Sequence, residues 1–258
     1  RSDASGAGQP LAGERSREHY AFIRKCVELA LAWPHHDEKT LGDLIERLEV
    51  LSDEHTAAIW DLVAKWADTA PGEDARAALR ERIRRFAFTR RGQRRGLKAA
   101  TRNHAVEALE RLAPADPVVR HRWLFAAVWV EESLDEIESG DHDYKKREER
   151  IERQRTAALR EIWTERGFAG LTDLLKSSNA PHIAGYIMAA IVKGPKASIS
   201  FVNQCLAKAS GDLENPLKEC LRGYFLRLDA EAAAAIAATI KPGAERAAML
   251  TLYVCLPL

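Results

Sequence analysis

The sequence predicts an all-α protein whose antiparallel helix pairs stack into a solenoid-like (HEAT-like) array or an irregular helical bundle. Three observations support this fold class. Ala, Leu, Glu and Arg dominate the 258 residues, and these residues lose little conformational entropy in a helix. Apolar residues recur at three- and four-residue spacing along many segments. No bounded run alternates apolar and polar residues as a strand does.

The individual helices are predicted from these apolar stripes and from the residues that stop them. The first helix runs from about Ser16 to Trp33 and ends before Pro34. Thr40 and Ser52 are predicted to cap the next two helices. The later predicted helices cover 75–88, 97–112, 118–130, 144–166, 168–177, 180–192, 196–209, 213–228, 229–240 and 243–256.

Three positions in the middle of the chain carry specific local predictions. Asp116 is a natural N-cap, and Pro117 suits the first helical position, where its missing N–H is not needed. The helix that follows, 118–130, is apolar on most sides and is therefore expected to lie at the centre of the packing. Gly167 is expected to end the charged helix 144–166 in a left-handed conformation.

The domain organisation follows from composition and helix spacing. Residues 1–15 are rich in Gly, Ser and Ala and are predicted to form a flexible leader. Residues 16–258 are predicted to form one helical, repeat-like domain, with two sub-bundles proposed at 16–140 and 141–258. Helix pairs recur every 30 to 45 residues without consensus letters, which favours HEAT-type repeats over tetratricopeptide or ankyrin repeats. The chain is expected to be a fragment of a larger protein.

Composition limits the function classes. The formal net charge is +1, so the overall balance does not indicate a nucleic-acid or membrane partner. No apolar run approaches the roughly 20 residues of a membrane span. The four cysteines are scattered without metal-ligand spacing, which predicts reduced packing thiols in a cytoplasmic protein, no metal site and no cofactor. The six Trp residues fall at core spacing and are predicted to be packing anchors.

The strongest local signal is a basic segment, 76–102, with eleven Lys or Arg residues and a single acid, Glu81. Phe86 and Phe88 are interleaved with the cations, and Gly92 and Gly96 flank the central arginines. Arginine forks match phosphate oxygens bidentately, so the segment could hold a nucleic acid or a nucleotide phosphate. The candidate binding residues are Arg84, Arg85, Arg90, Arg91, Arg94 and Arg95.

The alternative is that this charge is met inside the fold. The stretch 131–143 carries seven acids and no Lys or Arg, and it is a candidate counterpart of the basic segment. The near-zero net charge favours intramolecular pairing, because non-specific nucleic-acid binders usually carry an excess of positive charge. Both interpretations remain open at this point.

No residue pattern indicates catalysis. The clusters 35–38 and 141–143 place His beside carboxylates, but adjacent residues point to different faces and cannot chelate one metal ion. The nucleophile and phosphate-loop signatures G-x-S-x-G, Walker A and H-E-x-x-H are absent. The sequence therefore predicts a protein without enzymatic activity.

One stretch resembles a known class of protein. The run His121-Arg122-Trp123-Leu124-Phe125, the acidic turn and charged helix after it, and Glu161-Ile162-Trp163 before Gly167 are similar to the helical C-terminal region of large multidomain bacterial proteins. The resemblance covers about fifty residues and implies a sensor or scaffold arm with no catalytic residue. The predicted function is a scaffold or protein-interaction module that binds a protein or other domains of its parent. Nucleic-acid binding at 76–102 is the alternative.

Overall fold

The computed structural model of the chain describes residues 13–89, 96–131 and 144–239. Within these ranges the regular structure consists of α-helices and short 3₁₀ turns, and no strand is present. The all-α prediction is confirmed. Its physical basis is the one the sequence suggested, a series of segments that each bury one apolar stripe.

The described residues form eleven α-helices joined by short turns. They are α1 Gly13–Leu31, α2 Glu38–Ile45, α3 Asp53–Asp68, α4 Glu73–Phe88, α5 Ala99–Arg111, α6 Pro117–His121, α7 Tyr144–Lys176, α8 Pro181–Ile191, α9 Pro195–Lys208, α10 Glu214–Arg227 and α11 Ala230–Ala238. Short 3₁₀ turns cover Leu48–Val50, Arg122–Phe125 and Gly211–Leu213.

The chain divides into two compact units. Among the described residues, unit 1 comprises 13–87 and 96–112, and unit 2 comprises 88–89, 113–131 and 144–239. The boundary differs from the predicted division at 140/141, because α6 and the 3₁₀ turn after it pack against α7 and so belong with the second unit. The predicted leader, 1–15, lies outside the described residues up to position 12, and α1 begins at Gly13.

In unit 1, α3 contacts α1, α2 and α5. Fully buried apolar side chains lie on four of the helices and just after α5; they include Leu41, Ile45, Ile59, Leu79, Ile83, Ala105 and Leu112. The Ser52 cap is confirmed, since its hydroxyl accepts from the His55 N–H. The predicted Thr40 cap is wrong, because α2 begins at Glu38 and its N-cap is Asp37. The Asp37 carboxylate accepts from the Thr40 N–H at 2.7 Å.

In unit 2, the central pair is α8 and α10, which run antiparallel in very close contact. A Cβ added to Gly185 would lie 1.7 Å from the Cys220 carbonyl oxygen, and one added to Gly223 would lie 1.8 Å from the His182 carbonyl oxygen. Only glycine permits so close an approach of two backbones. In a regular solenoid of helix hairpins, helices two apart run parallel, so this antiparallel pair favours the irregular-bundle form of the prediction.

The core of unit 2 surrounds this pair and includes α7, α9 and α11. Phe201 of α9 lies 4.8 Å from the Tyr224 ring, and Tyr224 meets Phe225 edge to face at 6.0 Å. Both aromatic side chains of α10 are fully buried. Such aromatic pairs add to the stabilisation from buried area.

The local predictions at Asp116, Pro117 and Gly167 are confirmed. Asp116 accepts from the Val118 N–H at 2.9 Å, with Pro117 at the first helical turn. Gly167 has φ of +56°, a conformation that glycine adopts at little cost. Helix resumes directly afterwards, so α7 is two helical segments joined at a kink.

The predicted helix 118–130 is wrong. Helix α6 ends at His121, a 3₁₀ turn follows to Phe125, and 126–130 is irregular. Val128 and Trp129 are exposed at this point rather than central. The reason is tertiary: the Arg155 guanidinium takes the carbonyls of this segment that a helix would bond internally.

Two further packing predictions are only partly right. Trp60 is buried and stacks on His104 at 6.2 Å, but Trp33 and Trp129 are both 63% exposed. Cys205 and Cys220 are buried free thiols as predicted, whereas Cys26 is exposed. Cys255 lies outside the described residues.

Candidate functional site: an apolar groove in unit 2

The predicted arginine site is described at only two of its six positions. Arg84 is 5% exposed, and its Nε donates to Glu81 at 2.7 Å. Arg85 is exposed and donates from Nε to the other oxygen of Glu81 at 2.8 Å. The one acid of the basic segment thus holds both cations on α4. The other four candidates, Arg90, Arg91, Arg94 and Arg95, lie outside the described residues.

Other cations of the basic segment are held by polar groups inside unit 1. Arg82 donates from Nη2 to Asp43 at 2.7 Å and to Glu46 at 2.8 Å, both in the region of α2. Lys98 forms an ion pair with Asp53 of α3. These contacts are intramolecular pairing, but with acids other than the predicted ones.

Two more arginines of the segment bind backbone groups at the end of α5. Arg76 donates to the Arg111 carbonyl at 2.6 Å, and Arg80 donates to the Leu109 carbonyl at 3.0 Å. The predicted acidic counterpart lies outside the described residues from 132 to 143, so pairing of the basic segment with it stays a prediction.

The segment that resembles large bacterial proteins, 121–167, takes part in a cluster of polar contacts between α6 and α7. Glu161 accepts from Arg120 Nη1 at 2.6 Å, and its other oxygen lies 2.9 Å from His121 Nε2. Phe125 is fully buried in the adjoining core, and Trp163 packs against it. The motif therefore has a structural role in this chain.

The feature with the clearest binding geometry is a groove of about 330 Å³ in unit 2. It runs between α7, α8 and α10 and is bordered by the irregular segment after α6. Its lining residues are Val128, Trp129, Glu148, Ile151, Glu152, Arg155, His182, Ile183, Tyr186, Ile187, Gly223 and Leu226.

The border of the groove is apolar and exposed. Val128, Trp129, Tyr186 and Leu226 are 46%, 63%, 40% and 57% exposed. They are four of the nine large hydrophobic side chains that are exposed in the described part of the chain, and all four border this one groove. Single exposed hydrophobic residues are common, whereas a cluster around a concavity marks an interaction surface.

Arg155 lies in the groove and organises its wall. The side chain is 7% exposed; Nε donates to the Leu124 carbonyl at 2.8 Å, and Nη2 donates to the carbonyls of Ala127 and Val128 at 3.0 Å each. These bonds hold the segment that presents Val128 and Trp129. Burial lowers the pKa of Arg155, and no carboxylate lies within ion-pair distance of it among the described residues.

A cation also braces the far side of the groove. The Arg227 guanidinium lies 4.4 Å above the centre of the Tyr186 ring, and its Nη1 donates to Glu152 at 2.7 Å. This contact joins α10, α8 and α7 at the groove border. A cation over an aromatic face is favourable by about 0.5–1 kcal/mol at an exposed site, so this contact favours the position that Tyr186 takes at the groove border.

The lining of the groove combines apolar and titratable side chains. No hydrogen bond joins two of the titratable side chains that line it. No group of three or more metal-ligating residues occurs where the structure describes the chain. The groove offers two aromatic side chains, Trp129 and Tyr186, and the buried Arg155, and these residue types are enriched among the hot spots of protein interfaces.

Sequence reasoning missed this site, although one signal for its cation was present. The apolar stripe of α7 runs through Ile151, Ala158, Leu159 and Ile162, and Arg155 occupies the stripe position four residues after Ile151. An arginine in an apolar stripe is unusual enough to indicate a buried polar contact. Nothing in the sequence indicated that α8 and α10 would bring Tyr186 and Leu226 to the same groove.

Comparisons with protein-family models, with curated proteins and with solved structures find no match for this chain. None of the helices that the structure describes has the length and apolar character of a membrane span.

Proposed function

We propose that this chain is a protein-interaction module that binds an apolar segment of a partner protein, or of another domain of a larger parent, in the groove of unit 2. The observation that carries the proposal is the clustering of Val128, Trp129, Tyr186 and Leu226 around one concavity. Covering these side chains removes apolar surface from water, which favours association at roughly 25 cal/mol per Å² before the costs of binding.

The rigidity of the surface supports the same conclusion. Trp129 is presented by a segment whose carbonyls are held by Arg155, and Tyr186 is held under Arg227. Ordered aromatic anchors lose little conformational freedom when a partner binds, so more of the contact energy appears as affinity. A mobile apolar surface would not offer this advantage.

Peptide selection on the full chain tests the proposal. A library of random displayed peptides is panned on the wild-type protein, and the selected peptides are then measured against Trp129→Glu. We expect binding to fall at least tenfold, because a charge in the apolar border must be desolvated when the peptide docks. Trp33→Glu is the matched control, since Trp33 has the same 63% exposure and lies in unit 1.

Two results would contradict the proposal. One is selection of peptides whose binding is unaffected by Trp129→Glu. The other is an equal loss with Trp33→Glu, which would show that exposed tryptophan is adhesive wherever it lies. Circular dichroism of each variant establishes that the helices are intact.

The remaining features of the proposal rest on the sequence. The free thiols of Cys205 and Cys220 support the cytoplasm as the compartment of this module. The resemblance of 121–167 to the helical C-terminal region of large multidomain bacterial proteins supports a scaffold arm in such a protein. Nucleic-acid binding at 76–102 stays the alternative prediction, and its four central arginines are those outside the described residues.

A further inference from the structure

Resting on the proposed function, we infer that the segment bound in this groove carries a carboxylate that pairs with Arg155, beside the apolar side chains that cover Trp129 and its neighbours. The apolar border alone leaves the charge of the bound segment open. The hydrogen bonding of Arg155, the charges along α7 and the shape of the groove all favour a segment with an acidic side chain.

The hydrogen bonding of Arg155 is incomplete. A guanidinium has five N–H donors, and three of them are used by the carbonyls of Leu124, Ala127 and Val128. Nη1, which carries the other two, has no hydrogen-bond partner among the described residues. The guanidinium therefore has donors left for a ligand, on a side chain that already lines the groove.

Among the described residues, no carboxylate forms an ion pair with Arg155. The side chain is more than nine-tenths buried, and its guanidinium donates to three backbone carbonyls. Desolvation by burial lowers the pKa of Arg155. A buried cation without an anion is costly, and a carboxylate brought by a partner offsets that cost. Arginine suits this task because its planar fork can hold both carboxylate oxygens.

The α7 face of the groove sets the position of that carboxylate. Glu148, Ile151, Glu152 and Arg155 line the groove and span seven residues, which is about 10 Å along a helix. Glu152 is held by Arg227, whereas Glu148 has no ion pair among the described residues. The groove is therefore negatively charged near Glu148 and positively charged at Arg155. A bound segment with a basic residue near Glu148 and an acidic residue near Arg155, about two helical turns apart, would complement these charges.

The shape of the site favours a polypeptide over a small molecule. The exposed side chains of Trp129 and Leu226 extend the apolar surface beyond the concavity itself. A segment that covers them needs several apolar side chains along one face, as an amphipathic helix provides at i, i+3, i+4 and i+7. The occupant we infer is such a helix, with an acidic residue on the edge of its apolar face.

A directed library tests the inference on the full chain. The probe is a set of displayed peptides of about four helical turns (~14 residues). Leucine is fixed along one helical face, and all the remaining positions are randomised. We expect selection on the wild-type protein to enrich Asp or Glu at one position. In the matching synthetic peptide, Glu→Gln is expected to weaken binding about tenfold or more, as loss of a charged hydrogen bond does.

Variants of the protein assign the effect to Arg155. On Arg155→Gln, the peptide exchange Glu→Gln is expected to change affinity less than about twofold. Glu148→Gln removes a charge from the same helix and is the matched control, for which the acid preference is expected to persist. If Arg155→Gln does not fold, because the carbonyls it holds lose their donors, the Glu-against-Gln comparison on the wild-type protein decides the question.

The possible failures are distinguishable. Peptides that bind without preference for an acid, and that still depend on Trp129, would overturn the inference and leave the proposed function standing. Peptides that do not depend on Trp129 at all would overturn the proposed function. An acid preference that survives Arg155→Gln but disappears with another cation changed would also overturn the role of Arg155.

Discussion

The contact between α8 and α10 allows a sharp prediction about Gly185. The Cβ of Gly185→Ala would lie 1.7 Å from the Cys220 carbonyl oxygen and 2.6 Å from its carbonyl carbon. Both are backbone atoms inside a helix, so no side chain can swing aside to make room. The two helices must separate, by about 1.7 Å if ordinary contact at 3.4 Å is to be restored along that line.

The cost of separation is set by what the two helices bury together. Leu217, Leu221 and Phe225 of α10 and Ile187 and Met188 of α8 are at most 1% exposed. A gap of 0.5–1 Å already forfeits about a quarter to a half of the dispersion energy of the atoms that line it. We therefore expect Gly185→Ala to lower the free energy of unfolding by about 3–5 kcal/mol, above the range of ordinary overpacking.

Urea titration of the full chain, followed by circular dichroism, measures this change. Thermal unfolding is expected to shift down by about 6–20 °C, at roughly 2–4 °C per kcal/mol for a unit of this size. Gly72→Ala is the matched control, because a Cβ there meets nothing within 4 Å and the backbone is not left-handed. It is expected to leave stability unchanged or slightly raised, since alanine restricts the unfolded chain.

Retention of wild-type stability by Gly185→Ala, within about 0.5 kcal/mol, would refute the close approach of the two helices. A loss of equal size in Gly72→Ala would refute the explanation in a different way, by showing that any added methyl group is costly. Gly223→Ala repeats the test from the other helix, where the clash is with the His182 carbonyl oxygen at 1.8 Å.

Three further predictions concern unit 1, the thiols and the basic segment. Asp37→Ala is expected to lower the free energy of unfolding by about 1 kcal/mol at neutral pH. The hydrogen bond from Thr40 lowers the pKa of Asp37, so the capping stabilisation is fully present above the ordinary pKa of an aspartate and is lost as the pH falls through the folded-state pKa. Urea titrations of the wild-type and variant proteins should therefore converge in acid. In the native protein, Cys26→Ser is expected to remove one fast-reacting thiol in a disulfide-exchange assay and Cys205→Ser none, since burial raises the pKa of Cys205; equal losses would contradict this. Reversal of the four central arginines to Glu is expected to leave retention of duplex DNA unchanged at low and high salt, because the net charge is near zero and neighbouring cations are already paired; steep, salt-dependent binding lost on reversal would instead establish the alternative function. Those arginines are Arg90, Arg91, Arg94 and Arg95.

The groove explains why the function of this chain was harder to predict than its fold. Its residues come from four places in the sequence, separated by tens of residues, and none of them forms a motif with its neighbours. The basic segment attracted attention because its charges are consecutive. In the structure, several of those cations form ion pairs with acids in the region of α2 and on α3, or donate hydrogen bonds to carbonyls at the end of α5.

The sequence by itself determined the local structure. Most helix positions among the described residues, the caps at Ser52 and Asp116 and the break at Gly167 follow from interactions between residues at most a few positions apart, and these were predicted correctly. The same local reasoning placed the N-cap of α2 at Thr40, whereas the structure has it at Asp37. Both residue types can cap a helix, and only the path of the chain after Pro34 distinguishes them.

Only the tertiary structure decided where 118–130 would lie and what Arg155 would hold. Local periodicity favoured a buried helix there, but three bonds from an arginine about thirty residues away stabilise an irregular segment with Trp129 outward. Likewise, two glycines that look like helix weaknesses in the sequence became the contact at which α8 and α10 meet. Local interactions select helices, but partners distant in the chain select the surface that those helices present.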